Sequence, residues 1–326
     1  MGCGGSKSDG ETFKIVLEAP TMTTLVTESS PELGSADAAF NAIEEKDEKE
    51  LHRASHADLT ATLLAAAQMD YGAVVETYVP PTIEETLAGF KKVAAGLPST
   101  TNGKLSAPLD ADELTPALAT KLYDRLLEPE CPTTAVSKRL VFKVVLAAID
   151  HLDKGGAVAQ LPLPAKDGRQ VVVGDTHGQL QDVLTILMAH GVPSEKNRYL
   201  FNGDIADRGP NAVEIYLLAL LFMLTVPNST WVTRGNHEAR DINERPAGQG
   251  GGFRDEVLKK YDEETFELFQ MLFWHLPIAA MIGGQIFVVH GGLSREVAVK
   301  VERLKQVDYK KDIPERPSNT DENLLF

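Results

Sequence analysis

The sequence predicts an α/β fold, and three observations carry that expectation. Between residues 169 and 289, short apolar runs alternate with longer segments of helical periodicity. The short runs "RQVVV", "RYLF" and "TWVT" are rich in β-branched and aromatic residues, as buried strands are. Each of the runs "RQVVVG", "RYLFNG", "STWVTRG" and "GGQIFVVHGG" also closes on glycine and polar residues, so tight turns follow the strands.

Taken in chain order, the elements differ in how clearly they are marked. The opening "MGCGGSKSDG" fits the pattern for myristoylation of Gly2, with Ser6 in the required place, and Cys3 beside it is a palmitoylation candidate. A single myristoyl chain binds membranes only marginally, so the second acyl group would make the tether stable. Residues 1–10 are therefore expected to be an acylated segment that holds the chain to the cytoplasmic face of a membrane; without it, the chain is expected in the cytoplasm. Residues 11–110 form a region of unknown function. Within it, "TFKIVLEAP" and "GAVVETYVPP" read as strands closed by prolines, and residues 35–72 as one or two helices capped by Ser35. Residues 97–114 are turn-rich and read as a linker. Asp110 and Asp112 open like a calcium loop, but Thr115 stands where glycine is needed and Lys121 where a glutamate should close it.

The pattern sharpens in residues 111–326. Leu114, Leu118, Leu122 and Leu126 recur at helical spacing, with Pro116 at a tolerated first position. Residues 135–156 predict a second helix stopped by Gly155 and Gly156. The strands then alternate with helices in "QLQDVLTILMAHG", in "NAVEIYLLALLFML" and in one helical stretch, "FRDEVLKKYDEETFELFQMLF". The apolar run at 215–226 is too short to cross a bilayer and reads as a buried helix. With 32 basic against 47 acidic residues the formal charge is −15, which excludes non-specific nucleic-acid binding through a basic surface. Cys3 and Cys131 form neither a disulfide framework nor a zinc spacing, and no secretory segment follows Met1.

The strand ends hold the chemistry. "VVVGDTHG" ends in Asp175 and His177, "LFNGDIADRG" in Asp204, Asp207 and Arg208, "WVTRGNHE" in Asn236, His237 and Glu238, and "IFVVHGG" in His290. Loops past the carboxyl ends of strands converge on one crevice. Carboxylate, amide and imidazole donors without thiolate suit a hard or borderline metal. Their number exceeds one ion's need and fits a pair about 3.5–4 Å apart.

These blocks resemble the signatures of the PPP-type metallophosphatases, the phosphoserine/phosphothreonine protein phosphatases, over residues 115–326. The similarity is greatest to branches that elsewhere carry TPR or EF-hand modules. The resemblance implies a β-sandwich flanked by helices and two metal ions, manganese or an iron–zinc combination. Asp175 and His177 would bind the first ion, Asp204 would bridge, and Asn236 and His290 would bind the second. Arg208, with Asn236 and His237, would hold the phosphate. His237 would protonate the leaving oxygen with Asp207 orienting its ring, and a metal-bridging hydroxide would be the nucleophile. Phosphoproteins would be the substrates; regulatory subunits cannot be named from sequence.

Two departures from the pattern stand out. "NERPAGQGGGF" at 243–253 replaces the family's "NRIYGF" and reads as a flexible insertion. The chain ends at "SNTDENLLF", before the family's "WSDP"-like segment, a further metal-binding histidine and another arginine, so the domain is expected to be incomplete at its C-terminus. The competing readings are an acylated scaffold or binding relative with weak or no catalysis, and a phosphoesterase acting on small molecules.

Overall fold

The structure, a computed structural model, describes residues 81–99, 107–128, 135–294 and 299–313. The acylation motif at Gly2 and Cys3, and the strands and helices expected before Pro80, lie outside these residues. The chain divides into two compact units, Met1–Tyr78 and Val79–Phe326, and all the described residues belong to the second.

Helix α1 (Ile83–Gly96) opens with a reciprocal cap: Thr82 Oγ1 accepts from Glu85 N, and the Glu85 carboxylate accepts from Thr82 N. Its Phe90 meets Phe142 edge-on at 6.2 Å. The sequence reading missed this helix, although Thr-x-x-Glu before an apolar run is its signature. The adjoining stretch read as a linker is structured where it is described. Leu109 bridges Val136, and Asp110 and Asp112 bind Arg139 at 3.1 and 2.8 Å. The aspartate pair thus anchors a helix.

Helices α2 (Pro116–Leu127) and α3 (Lys138–Leu152) form where expected, capped by Thr115 and Ser137. Leu118, Leu122 and Leu126 face the core. The chain continues through β1 (Val158–Leu161), β2 (Arg169–Val173), α4 (Leu180–His190), β3 (Asn197–Asn202), α5 (Ala212–Thr225) and β4 (Thr230–Thr233). It then passes through α6 (Arg240–Asn243), α7 (Phe253–Lys260), α8 (Glu263–His275), β5 (Ala279–Ile282), β6 (Ile286–Val289) and α9 (Val301–Leu304).

Helix α5 is buried on every side from Ala212 to Met223, which explains the apolar run at its centre. No helix among the described residues is long and apolar enough to cross a membrane. The stretch from Phe253 to Phe273, read as one helix, is two: Asp262 accepts from Thr265 N and Oγ1, capping α8 just after α7 ends. Asp followed three residues later by a hydrogen-bonding residue was the missed signal.

Among the described residues, two three-stranded sheets result. One has the order β2-β3-β4, all parallel; the other has the order β1-β5-β6, with β5 and β6 antiparallel. Leu200 of the first packs with Leu161, Ala280 and Ile282 of the second, with Trp231 and Val288 alongside. This is the expected sandwich. His290 therefore reaches the site from the second sheet, whereas the other strand-end residues come from the first. Asn202 joins the two ends, its Nδ2 donating to Val289 O.

Candidate metal centre

The loops after β2 and β3 are laced together before any side chain is considered. Thr176 N and His177 N both donate to Asp204 O, Gly178 N donates to Ile205 O, and Gly209 N donates to His177 O. A Cβ on Gly209 would lie 2.4 Å from His177 O, and one on Gly235 would lie 2.2 Å from Asp204 Oδ1, so neither position tolerates alanine without shifting the site. His177, Asp204, Asp207 and Arg208 all take left-handed backbone, with φ of 42°, 49°, 74° and 63°. Such residues cost about 1–3 kcal/mol each and persist only where their surroundings over-determine them.

The structure brings together every strand-end residue singled out from the sequence. Asp204 sits at the centre, its Oδ2 lying 3.3 Å from His290 Nε2, 3.8 Å from His177 Nε2 and 3.9 Å from His237 Nε2. Asp175, half exposed, places its carboxylate 3.9 Å from His177 Nε2 and 3.8 Å from His290 Nδ1. Asn236 Oδ1 lies 3.0 Å from His290 Nε2. Among the described residues these side chains form two overlapping clusters that share Asp204, one with Asp175 and His290 and the other with His177 and His237.

The donor set fits bound cations for a reason beyond proximity. His177 Nδ1 donates to Ala206 O at 2.9 Å, and His290 Nδ1 donates to Asn202 O at 2.8 Å. Each bond fixes the ring and leaves Nε2 aimed at Asp204, the arrangement that backbone carbonyls impose on metal-binding histidines. His237 is held differently: its Nδ1 bonds Asp207 Oδ2 at 2.7 Å, while Asp207 Oδ1 accepts from Phe253 N. Arg208 Nη2 lies 3.5 Å from His237 Nε2, so a guanidinium and an imidazole share one opening.

The hydrogen bond and charge of Asp204 raise His290 to about 9 from its ordinary 6.5, against burial. Burial opposes the charged form of Asp204, but hydrogen bonds from His290 and from His237 N outweigh it and lower its pKa. For His237, too, burial disfavours the charged ring, and Asp207 and Asp204 more than offset it, raising its pKa. At neutral pH the metal-free His290 is thus protonated, and an ion must displace that proton. Calorimetry of Mn²⁺ binding at pH 7, in buffers of different ionisation enthalpy, should show release of about one proton. The release should fade as the pH passes 9.

The glycine-rich loop at 243–253 is no slack insertion. Gly251 O accepts from Arg208 N, and Phe253 N holds Asp207, so the loop fixes two site residues. Glu238 is the role the sequence reading left unassigned. Fully buried, it accepts from the backbone N–H groups of Asp204, Ile205, Ala206 and Gly235 and from the Tyr216 hydroxyl. Burial and the charge of Glu238 push the Tyr216 phenol well up, so it stays a donor. Tyr216 in turn packs on Phe253, Phe269 and Phe273, joining the site to the core. Glu238→Gln would set an amide N–H against donors already in place. It should cost about 3 kcal/mol, read as a lower urea midpoint.

Residues 168–325 match the calcineurin-like phosphoesterase family. A protein serine/threonine phosphatase from Saccharomyces cerevisiae superposes with a TM-score of 0.54 at 31% identity, covering 59% of each chain. This is a metallophosphatase α/β fold. Among curated relatives, serine/threonine-protein phosphatase 5 of Arabidopsis thaliana is 39% identical over 172 residues, 52% of this chain and 31% of that one. The Homo sapiens protein of the same name is 34% identical over 178 residues, 55% and 34% of the respective chains. Serine/threonine-protein phosphatase T of Trypanosoma brucei brucei is 41% identical over 149 residues, 45% and 30%. The chain spans about a third of the length of these relatives.

Proposed function

We propose that the chain hydrolyses phosphoserine and phosphothreonine in proteins at a binuclear metal site. The convergence of three imidazole Nε2 atoms on the Asp204 carboxylate, with two rings locked by backbone carbonyls, carries this reading. Asp175, His177 and Asp204 would hold one ion, and Asp204, Asn236 and His290 the other; manganese, iron and zinc all suit these oxygen and nitrogen donors. The ions would supply Lewis acidity and an activated water. Arg208 binds phosphoryl oxygens with its planar fork, aided by Asn236 and His237. His237 carries a proton on Nε2, steadied by Asp207, for delivery to the departing serine or threonine oxygen.

The test is turnover of a phosphopeptide set against that of a nucleotide and a phosphorylated aryl ester. Ion uptake without turnover of any would favour the scaffold reading; turnover of nucleotides alone would favour a small-molecule phosphoesterase. A tether at the cytoplasmic face of a membrane, through myristoyl on Gly2 and palmitoyl on Cys3, belongs to the same proposal. Gly2→Ala should move the protein to the soluble fraction, and Cys3→Ser should leave loose, reversible attachment. Unchanged fractionation of Gly2→Ala would remove the tether from the proposal.

A further inference from the structure

The turn that carries Arg208 is held by a buried charge network on helix α7. That helix runs from Phe253 to Lys260 and clasps the Asp207–Pro210 segment at both ends. At its start, Phe253 N donates to Asp207 Oδ1; at its close, Lys260 Nζ donates to Pro210 O at 2.7 Å. Lys260 also donates to Glu214 Oε2 and Glu256 Oε1, which uses every hydrogen of its ammonium and leaves none for a phosphate. Glu256 ties in helix α5. Its oxygens accept from Ala212 N and Val213 N at 3.0 Å each, capping a helix whose N-cap residue, Asn211, makes no side-chain cap bond.

Such a network is costly. The side chains of Glu214, Glu256 and Lys260 are 2%, 4% and 2% exposed, so a pair of carboxylates is buried with a single ammonium. Glu214 Oε1 has no hydrogen-bond partner among the described residues. Burial, joined by the charge of Glu214, raises Glu256 to about 7 despite Lys260. Well-packed apolar side chains would join α5 to α7 at lower cost. They could not, however, donate to Pro210 O, and Pro210, lacking an N–H, offers only that carbonyl to a tether. Two residues earlier stands Arg208, in a left-handed conformation that persists only where its surroundings over-determine it. We propose that Lys260, steadied by Glu214 and Glu256, is a positioning residue that holds the Arg208 turn so that the guanidinium meets the phosphoryl group. The proposal rests on the phosphatase reading. A planar fork must aim its N–H groups together, so a small shift of the turn costs affinity.

The test is a double-mutant cycle read by binding of inorganic phosphate to the Mn²⁺-loaded chain, followed through ³¹P relaxation, which needs no turnover. Lys260→Met should weaken phosphate binding about tenfold, and Lys260→Arg, which keeps a buried cation, should stay within about twofold of the parent. Mn²⁺ affinity should not change in either. In the Arg208→Ala background, Lys260→Met should cause no further loss, because the group it positions is gone. Lys260→Met combined with Glu256→Gln keeps the net charge of the network and should show the same weakening; it takes the place of the single variant if that one does not fold. Equal losses with and without the Arg208 guanidinium, or unaltered phosphate affinity in Lys260→Met, overturn the positioning role. Parental phosphate binding by Arg208→Ala would instead remove the phosphate grip of Arg208, and with it the phosphatase reading. The two failures thus appear in different variants.

Discussion

Asp204→Asn should weaken Mn²⁺ binding by more than about a hundredfold and aryl-ester turnover by more than about a thousandfold. The substitution is nearly isosteric, so the loss measures charge and hydrogen-bond direction. Asp204 Oδ1 accepts from His237 N, and Oδ2 faces the Nε2 atoms of three histidines. An amide can turn its oxygen to only one of these sides. With nitrogen towards His237 N, two donors collide; with nitrogen towards the rings, the acceptor shared by the ions is gone. A second readout needs no metal. Because Asp204 is the largest cause raising His290 to about 9, the substitution should return that ring towards 6.5 in an NMR titration. Stability follows with a defined sign. In the metal-free chain the raised His290 contributes stability that is fully present below pH 6.5 and lost as pH rises through about 9. The lowered Asp204 contributes stability that is present above its ordinary 3.8 and lost as pH falls through its folded value. The variant should therefore be most destabilised between roughly pH 4 and 6.5, and the part of its deficit that comes from His290 should vanish above about pH 9. Ion uptake within tenfold of the parent would sink this assignment.

The sequence carried the parallel sheet and the site because both leave local marks. β3 and β4 are largely buried, whereas β2, expected to be buried, buries only Val173 and leaves Val172 exposed; β-branched and aromatic runs still mark all three, and each closes on a glycine before its functional residues. β1 and β5 leave almost no mark: four residues each, "VAQL" and "AAMI", with no alternation to separate them from loop or helix. Periodicity therefore missed them, so the second sheet was expected from the family resemblance alone and the route by which His290 arrives stayed hidden. The left-handed backbone at His177, Asp204, Asp207 and Arg208 was equally invisible. None of these residues announces positive φ as glycine does; the conformation is imposed by loop-to-loop hydrogen bonds and by Glu238, which binds Asp204, Ile205, Ala206 and Tyr216 from more than twenty residues away in sequence. The flexible reading of 243–253 failed for a related reason. Glycine content reports conformational freedom in an isolated chain, but here Gly250 and Gly252 use that freedom, at φ of 91° and 121°, to turn the loop back onto Asp207 and Arg208.

His237→Asn should show a loss that depends on the leaving group. A serine alkoxide is a poor leaving group and needs its proton as the bond breaks, whereas a nitrophenolate departs with little help. Turnover of a phosphoserine peptide should therefore fall about 10²–10⁴-fold, and turnover of the nitrophenyl ester by about tenfold. Asp207 acts through this ring. Burial alone would lower the His237 pKa, and the Asp207 hydrogen bond leads the groups that reverse this. In Asp207→Asn the remaining Oδ1 can still accept from Phe253 N, but burial meets less opposition, so the ring loses its proton at lower pH. The alkaline limb of the peptide pH–rate profile should accordingly move to lower pH, while the ester profile changes little. Equal losses on peptide and ester in His237→Asn would show that this ring binds the phosphoryl group without donating a proton to the leaving oxygen. Arg208, 3.5 Å away, would then share that binding with it, and the proton would have to come from solvent.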